Sequence, residues 1–292
     1  MADTGINAAL VAELRRETGA GMMDCKKALQ ESGGDKEKAL DYLRKKGIAA
    51  AAKRADRAAT EGIVVCAVSA DAKTAALVEI NSETDFVARN ELFREFGNGV
   101  AKLIRDWESA DGKTTEDVLK LSLPGGLTVQ DALNELIGKI GEKMAVGRFA
   151  KLSVAGGMIG TYIHSDSKLG VLVGLDEADP THPEVKTLAR DLAMQVAASS
   201  PQVVSREDIP AEKTEYERGI ETERARTEGK PDAALPKIVE GRLNKWFAEV
   251  ALLEQPFVKD PKVAVRDLIA QTAKSSGKPI KVTSFVRIRV GA

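Results

Sequence analysis

An acidic and an aromatic residue stand side by side in segment 79–89, which reads Glu-Ile-Asn-Ser-Glu-Thr-Asp-Phe-Val-Ala-Arg. Residues 75–80 are apolar except for Glu79 and predict a short strand, and the polar side chains of residues 81–84 are suited to cap a following helix. We therefore expect Asp85 and Phe86 where the strand gives way to the helix. Asp85 could complement the helix dipole there while Phe86 packs on the core. Alternatively, a rigid scaffold presents both residues to a partner.

The residue patterns that catalysis requires are scarce in this sequence. It has no Gly-x-x-x-x-Gly-Lys-[Ser/Thr] loop, so we do not expect the chain itself to hold a nucleotide. Its two cysteines, Cys25 and Cys66, lack metal-site spacing, and two histidines, His164 and His182, give little scope for a His-based triad. The cysteines are interpreted as small buried side chains in a reducing compartment. We expect a binding protein that is not an enzyme and uses no cofactor or metal.

The overall charge gives no general attraction to nucleic acid, because 43 Lys and Arg residues face 44 Asp and Glu residues, a formal net charge of −1. A basic run at 44–57 could still bind phosphates, although such a run is more often a solvated helix face and no aromatic platform accompanies it. Its members are Arg44, Lys45, Lys46, Lys53, Arg54 and Arg57. The sequence shows neither a signal peptide nor the ~20 apolar residues of a membrane span. A cytoplasmic protein without membrane contact is expected.

The N-terminal part of the chain, residues 5–47, predicts three short helices separated by glycine-containing breaks. The second helix is expected to begin near Asp24 and the third to be capped by Asp35. Residues 44–60 are rich in Ala, Lys and Arg and predict a helical or flexible linker. A first domain and its linker are therefore predicted at 1–55.

The rest of the chain contains an internal duplication. Residues 62–80 align without a gap on residues 157–175, and each copy predicts a β-hairpin with a polar turn. Residues 129–154 align in the same way on residues 265–290 and predict a helix and a strand. The apolar face of the helix after each hairpin is predicted from Leu92, Phe96 and Val100, and from Leu188, Leu192 and Val196.

The predicted fold class is thus α+β, with hairpin, helix, helix and strand occurring twice, in the halves 56–155 and 156–292. The second half carries about forty extra residues, since the separation of corresponding positions grows from 96 to 136. We expect this insertion, at about 205–250, to be an antiparallel coiled coil whose base packs on the core and whose tip is free to meet another chain. Its predicted heptad stripe comprises Val239, Leu243, Trp246, Val250 and Leu253.

Three parts of the sequence resemble signatures of one family. Residues 14–29, Leu-Arg-Arg-Glu-Thr-Gly-Ala-Gly-Met-Met-Asp-Cys-Lys-Lys-Ala-Leu, are similar to the first signature of the elongation factor Ts family, and segment 79–89 is similar to the second. Further matches are Gly-Lys-Pro at 229–231, Lys-Ile-Val-Glu-Gly-Arg at 237–242 and Leu-Glu-Gln-Pro-Phe-Val at 253–258. The resemblance implies a UBA-like N-terminal domain, a coiled coil in the insertion, and guanine-nucleotide exchange on elongation factor Tu.

The resemblance also implies roles for individual residues. Thr84, Asp85, Phe86 and Val87 correspond to the element that pushes against the nucleotide domain of elongation factor Tu and dislocates the Mg²⁺ that clamps GDP. Arg15, Met22 and Met23 correspond to residues that grip the same domain, and His164 corresponds to a core histidine that faces the partner. The implied partner is elongation factor Tu, both GDP-bound and nucleotide-free, in a complex that could be two-plus-two; a homodimer is also possible.

Plainer interpretations stay open for several of these residues. One of Met22 and Met23 could be a core residue, because adjacent helical positions cannot both face inward. His164, expected near the tip of the second hairpin, could be an ordinary surface residue. A purely structural dimerisation protein would use the coiled coil alone.

Overall fold

The computed structural model describes residues 7–108 and 110–292; residues 5 and 6 of the first predicted helix lie outside these ranges. Three helices pack around Leu14, Cys25 and Leu29, all fully buried. As predicted, the Asp35 side chain caps the third helix by accepting from the Lys38 N–H at 3.1 Å. The third helix extends well into the predicted linker. The helices are α1 (Ala8–Thr18), α2 (Met22–Glu31) and α3 (Lys36–Ala52).

The first half of the core is a three-stranded antiparallel sheet covered by helices. The middle strand pairs with both neighbours, in the order β1-β2-β3. Its elements are β1 (Glu61–Val68), β2 (Thr74–Ser82), α4 (Asp85–Ala88), α5 (Glu91–Asp106), α6 (Thr115–Lys120), α7 (Val129–Ile140) and β3 (Met144–Ser153).

The second half repeats this plan with the order β4-β5-β8. Its additional elements form the helical hairpin and a two-stranded ribbon. The elements are β4 (Met158–Ile163), β5 (Leu169–Asp176), α8 (Pro183–Ser199), α9 (Ala211–Thr227), α10 (Leu235–Val250), β6 (Pro256–Phe257), β7 (Asp260–Ala264), α11 (Val265–Ser276) and β8 (Lys281–Arg289). The α+β class and the repeated hairpin, helix, helix and strand are confirmed.

The duplication extends to an irregularity of the sheets. Between β2 and β3 the register shifts after the pair Val78↔Phe149. Between β5 and β8 it shifts near Val173↔Phe285, which are the aligned positions of the sequence repeat. A bulge at the same place in both halves is a shared feature of the repeat rather than a local accident.

The two sheets pack against each other through a shared apolar cluster. Val64 and Leu77 of the first sheet and Leu172 and Ile288 of the second are buried in it. Gly170 permits the close approach, because a Cβ there would lie 2.6 Å from Cγ1 of Val64. Each sheet covers its other face with its own helices.

The helix after segment 79–89 differs from the prediction. Leu92, predicted to face the core, is 44% exposed, whereas Phe93 is fully buried. The physical reason is a break: α4 ends after one turn, and Asn90 caps a new helix by accepting from the N–H of Leu92. Val100 faces the core as predicted.

The insertion forms the expected antiparallel hairpin of α9 and α10. The predicted stripe differs at two positions: Phe247 is buried where Trp246 was predicted, and α10 ends at Val250, so Leu253 lies beyond the helix. At the base, Phe247 and Val250 join Ile209, and the Arg206 guanidinium lies 4.5 Å from the Phe247 ring centroid. Among the described residues, the helices all lack the length and apolar character needed to cross a membrane.

Candidate functional site

Phe86 projects from the one-turn helix that follows β2. Its side chain is 78% exposed, while the next residue, Val87, is 5% exposed and packs into the core of the first half. In this single helical turn the Phe86 side chain points into solvent, and the buried Val87 side chain fixes the turn to the core. The interpretation of Phe86 as a core residue is wrong.

Asp85 lies beside Phe86 at the start of the same turn. Its Oδ2 accepts from Nη2 of Arg89 at 3.0 Å; the Arg89 side chain is 75% exposed and that of Asp85 is 47% exposed. An exposed pair of this kind contributes at most about 1 kcal/mol, so a partner can displace Arg89 at little cost. Asp85 is thus available to a positively charged or hydrogen-bonding group.

Thr84 turns inward rather than toward solvent. Its N–H and its hydroxyl both donate to the carboxylate of Glu142, at 3.1 and 3.0 Å. The Ser82 hydroxyl donates to the carbonyl of Thr84 at 2.9 Å. Of the four signature residues, Thr84 and Val87 hold the turn, whereas Asp85 and Phe86 face outward. Glu142 was missed from the sequence, where nothing marks it as a partner of Thr84.

A cleft of about 420 Å³ beside Asp85 connects the two halves of the core. Arg89 and Arg94 line it from the first half, and Asp166 and Lys168 line it from the turn between β4 and β5. The same turn begins with His164, an exposed residue whose Nδ1 lies 2.9 Å from the hydroxyl of Tyr162. The cleft is thus lined by Asp85, the neighbour of Phe86, and by Ser165, the neighbour of His164.

The residues from the first signature lie on the N-terminal helical unit, away from this cleft. Arg15 is exposed in the last turn of α1. Met22 and Met23 open α2 and are 53% and 72% exposed. The interpretation of one of the two as a core residue is wrong, because Cys25, Ala28 and Leu29 supply the buried face of α2.

The basic run at 44–57 is largely neutralised by neighbouring carboxylates. Arg44 contacts Asp131 at 2.7 Å and Lys45 contacts Asp41 at 2.7 Å. The Arg44 side chain holds the pKa of Asp131 below its ordinary value. Lys46 pairs with Asp24 and Arg57 with Glu83. A phosphate-binding patch needs free cations, so this pairing disfavours the nucleic-acid alternative.

Neither cysteine is placed for nucleophilic chemistry. Cys25 is fully buried in the N-terminal unit. Burial raises the pKa of the Cys66 thiol to about 11, which keeps it protonated at neutral pH. Within residues 7–108 and 110–292, three or more His, Cys, Asp or Glu side chains nowhere come together in a geometry that could hold a metal ion.

A duplicated α+β core that carries a helical unit, a helical hairpin and outward-facing apolar residues has the features of a protein-binding factor. Comparison with known proteins identifies the family. The family model described as Elongation factor TS matches residues 83–292. Elongation factor Ts of Chlorobaculum tepidum is 47% identical over 290 residues, which cover 98% of this chain and 99% of that protein.

Other relatives agree. Elongation factor Ts of Clostridium perfringens is 46% identical over 286 residues, covering 98% of this chain and 93% of its own length. That of Trichlorobacter lovleyi is 46% identical over 291 residues, with the same coverage. The chain belongs to the elongation factor Ts family and is a translation elongation factor.

Proposed function

We propose that this protein is the guanine-nucleotide exchange factor for elongation factor Tu, promoting release of GDP during translation elongation in the cytoplasm. The observation that carries the proposal is Phe86, an apolar ring held outside the core on an anchored turn within the family's signature. Elongation factor Tu is the proposed partner in both its GDP-bound and its nucleotide-free forms. The protein's part is binding, with no covalent step of its own.

In this mechanism Asp85 and Phe86 push on the nucleotide domain of the partner and displace the Mg²⁺ that bridges GDP. Mg²⁺ demands near-ideal octahedral geometry, so a small displacement of the partner's ligands weakens both the ion and the diphosphate. Burying Phe86 in the partner supplies roughly 1.5–3 kcal/mol toward that displacement. Because Phe86 is exposed in the free chain, its burial becomes available only on binding.

Exchange then follows from thermodynamic linkage. A factor that binds nucleotide-free elongation factor Tu more tightly than the GDP form lowers the affinity for GDP by the same ratio. The proposed grip on the nucleotide domain comes from Arg15, Met22 and Met23, whose exposed side chains supply an adaptable apolar contact and a positive charge. His164 is the proposed contact of the second half.

Release of fluorescent GDP from elongation factor Tu tests the proposal. The wild-type chain should accelerate release, and Phe86→Ala should slow the accelerated rate by about tenfold to a hundredfold, the equivalent of roughly 1.5–3 kcal/mol. Tyr216→Ala is the matched control, since Tyr216 is an equally exposed aromatic residue, 71%, on α9. Wild-type exchange by a folded Phe86→Ala chain would remove Phe86 from the mechanism, and an inert wild-type chain would refute the function.

The stoichiometry of the complex with elongation factor Tu can be measured with the same two purified proteins. Sedimentation of the mixture distinguishes a one-to-one complex from the proposed two-plus-two complex. Sedimentation of the chain alone detects the proposed homodimer.

A further inference from the structure

The turn between α7 and β3, residues 141–143, contacts the segment that carries Phe86. The Glu142 carboxylate accepts both hydrogen bonds from Thr84. The Lys143 N–H donates to Oε1 of Glu83 at 2.5 Å, and this bond is the main reason why the pKa of Glu83 lies below its ordinary value. Two consecutive residues of the turn thus hold two consecutive residues ahead of Phe86.

The same turn also holds the segment that leads from the N-terminal helices into β1. The Lys143 ammonium donates to the carbonyls of Ala55 and Arg57, at 2.5 and 2.6 Å. Nε of Arg54 donates to the carbonyl of Gly141 at 2.9 Å. The Arg57 guanidinium lies 3.3 Å from the Glu83 carboxylate and joins the two sets of contacts. Linker, turn and Phe86 segment therefore form one hydrogen-bonded network.

These contacts keep the segment that carries Phe86 ordered before it binds the partner. A helix of one turn is not stable by itself, because helix nucleation is unfavourable. Without Glu142 the half-buried N–H of Thr84 would lack its partner, and the segment would gain alternative conformations. A loose segment loses conformational entropy on binding, and that loss subtracts from the binding energy available to displace the partner's ligands.

We infer that Glu142 is the positioning residue of Phe86, and that the turn 141–143 ties the presentation of Phe86 to the docking of the N-terminal unit. In this role Glu142 acts indirectly, through its hydrogen bonds from Thr84. The expected effect on GDP release rests on the proposed function. The ordering of the Phe86 segment by Glu142 concerns the isolated chain and does not depend on it.

The variants Glu142→Ala and Glu142→Gln test the role of Glu142. The first removes the acceptor, and the second keeps one side-chain oxygen that can still accept from Thr84. Asp179→Ala is the matched control. Asp179 accepts from the N–H and the hydroxyl of Thr181 at 2.9 and 2.7 Å in the corresponding loop of the second half, remote from Phe86 in sequence.

Two measurements separate positioning from general stability. The first is amide hydrogen exchange of residues 83–89 in the isolated chain, which Glu142→Ala should accelerate about tenfold or more while Asp179→Ala leaves it unchanged. The second is GDP release from elongation factor Tu over a range of factor concentrations. There Glu142→Ala should lower the maximal rate about tenfold with little change in the half-saturating concentration, and Glu142→Gln should recover part of that rate.

Each outcome decides between the two proposals. Unchanged amide exchange in a folded Glu142→Ala chain overturns the positioning role. Faster amide exchange with an undiminished maximal rate also overturns it, because the order of the segment would then not matter for release. If the wild-type chain fails to release GDP while Glu142→Ala still loosens residues 83–89, the exchange function fails and the structural role of Glu142 stands.

Discussion

Met22 and Met23 expose most of their apolar surface at the start of α2, where neither side chain contributes to the core of the helical unit. Replacing both by alanine should therefore leave the melting temperature almost unchanged. Binding to elongation factor Tu should weaken, because each methionine buried at an interface contributes roughly 1.5–3 kcal/mol. A titration of GDP release should show a half-saturating concentration raised at least tenfold and an unchanged maximal rate.

The matched control for this pair is Ile48→Ala, which removes an exposed apolar side chain from α3. It should leave the titration unchanged. If the double methionine variant saturates at the wild-type concentration, these residues do not form the grip on the nucleotide domain.

At this scale the sequence predicted the outward-facing residues but not their supports. The sequence pattern predicted Asp85 and Phe86 at the N-terminus of a helix, and in the structure they are the first two residues of α4. Glu142 escaped prediction because its contact with Thr84 spans 58 residues. That contact arises only when β2 and β3 pair, with Ser82 opposite Met144, and the register of such a pairing is not readable from the two segments alone.

Among the elements, the helical hairpin shows how a charged helix can cover an apolar one. The sequence offered few large apolar residues on α9 to meet the stripe on α10. In the structure α9 packs along α10 with Ala225 fully buried, and ion pairs link the two helices. The Glu221 carboxylate contacts Arg242 of α10 at 3.1 Å, and Glu228 contacts the same guanidinium at 2.6 Å. Ion pairs therefore hold the two helices together near the turn, whereas apolar packing holds them together at the base.

The helices α3 and α7 cross closely at two glycines, a contact that the sequence did not reveal. A Cβ added to Gly47 would lie 2.9 Å from the backbone oxygen of Asn134, and one added to Gly138 would lie 3.1 Å from Cα of Gly47. Gly47→Ala should force the helices apart and destabilise the chain by about 1–3 kcal/mol, despite the higher helix propensity of alanine. Urea denaturation would measure this change.

The control for that substitution is Gly219→Ala on α9, where an added Cβ meets no atom within 4 Å. It should stabilise the hairpin by up to about 1 kcal/mol, because alanine loses less backbone entropy than glycine in a helix. Equal effects of the two substitutions would show that α3 and α7 do not need the close crossing.

For the whole molecule, the sequence predicted the duplication but not how the halves join. Residues 75–78 form a continuous apolar run, which indicates a strand that is buried on both faces but does not show which elements cover it. The structure shows helices on one face and the sheet of the other half on the second.

Residues near the C-terminus add a polar contact between the halves, since buried Glu79 accepts from the N–H of Gly291 at 3.0 Å. Burial would raise the pKa of Glu79, but that bond and those from Asn81 and Arg148 hold it below its ordinary value.

Removing residues 1–55 tests whether the N-terminal unit is a separable anchor. The buried residues of the three core clusters all lie beyond residue 55, so the remaining chain should still melt cooperatively, at a lower temperature because α7 loses its contact with α3. The truncation removes Arg15, Met22 and Met23, so the half-saturating concentration in GDP release should rise at least as much as in the double methionine variant.

The truncation also removes Arg54 and the Ala55 carbonyl from the network around Lys143, so the maximal rate of GDP release should fall as well. A truncated chain that binds elongation factor Tu as tightly as the intact one would rule out the anchor, and an unchanged maximal rate would rule out the link between linker and Phe86.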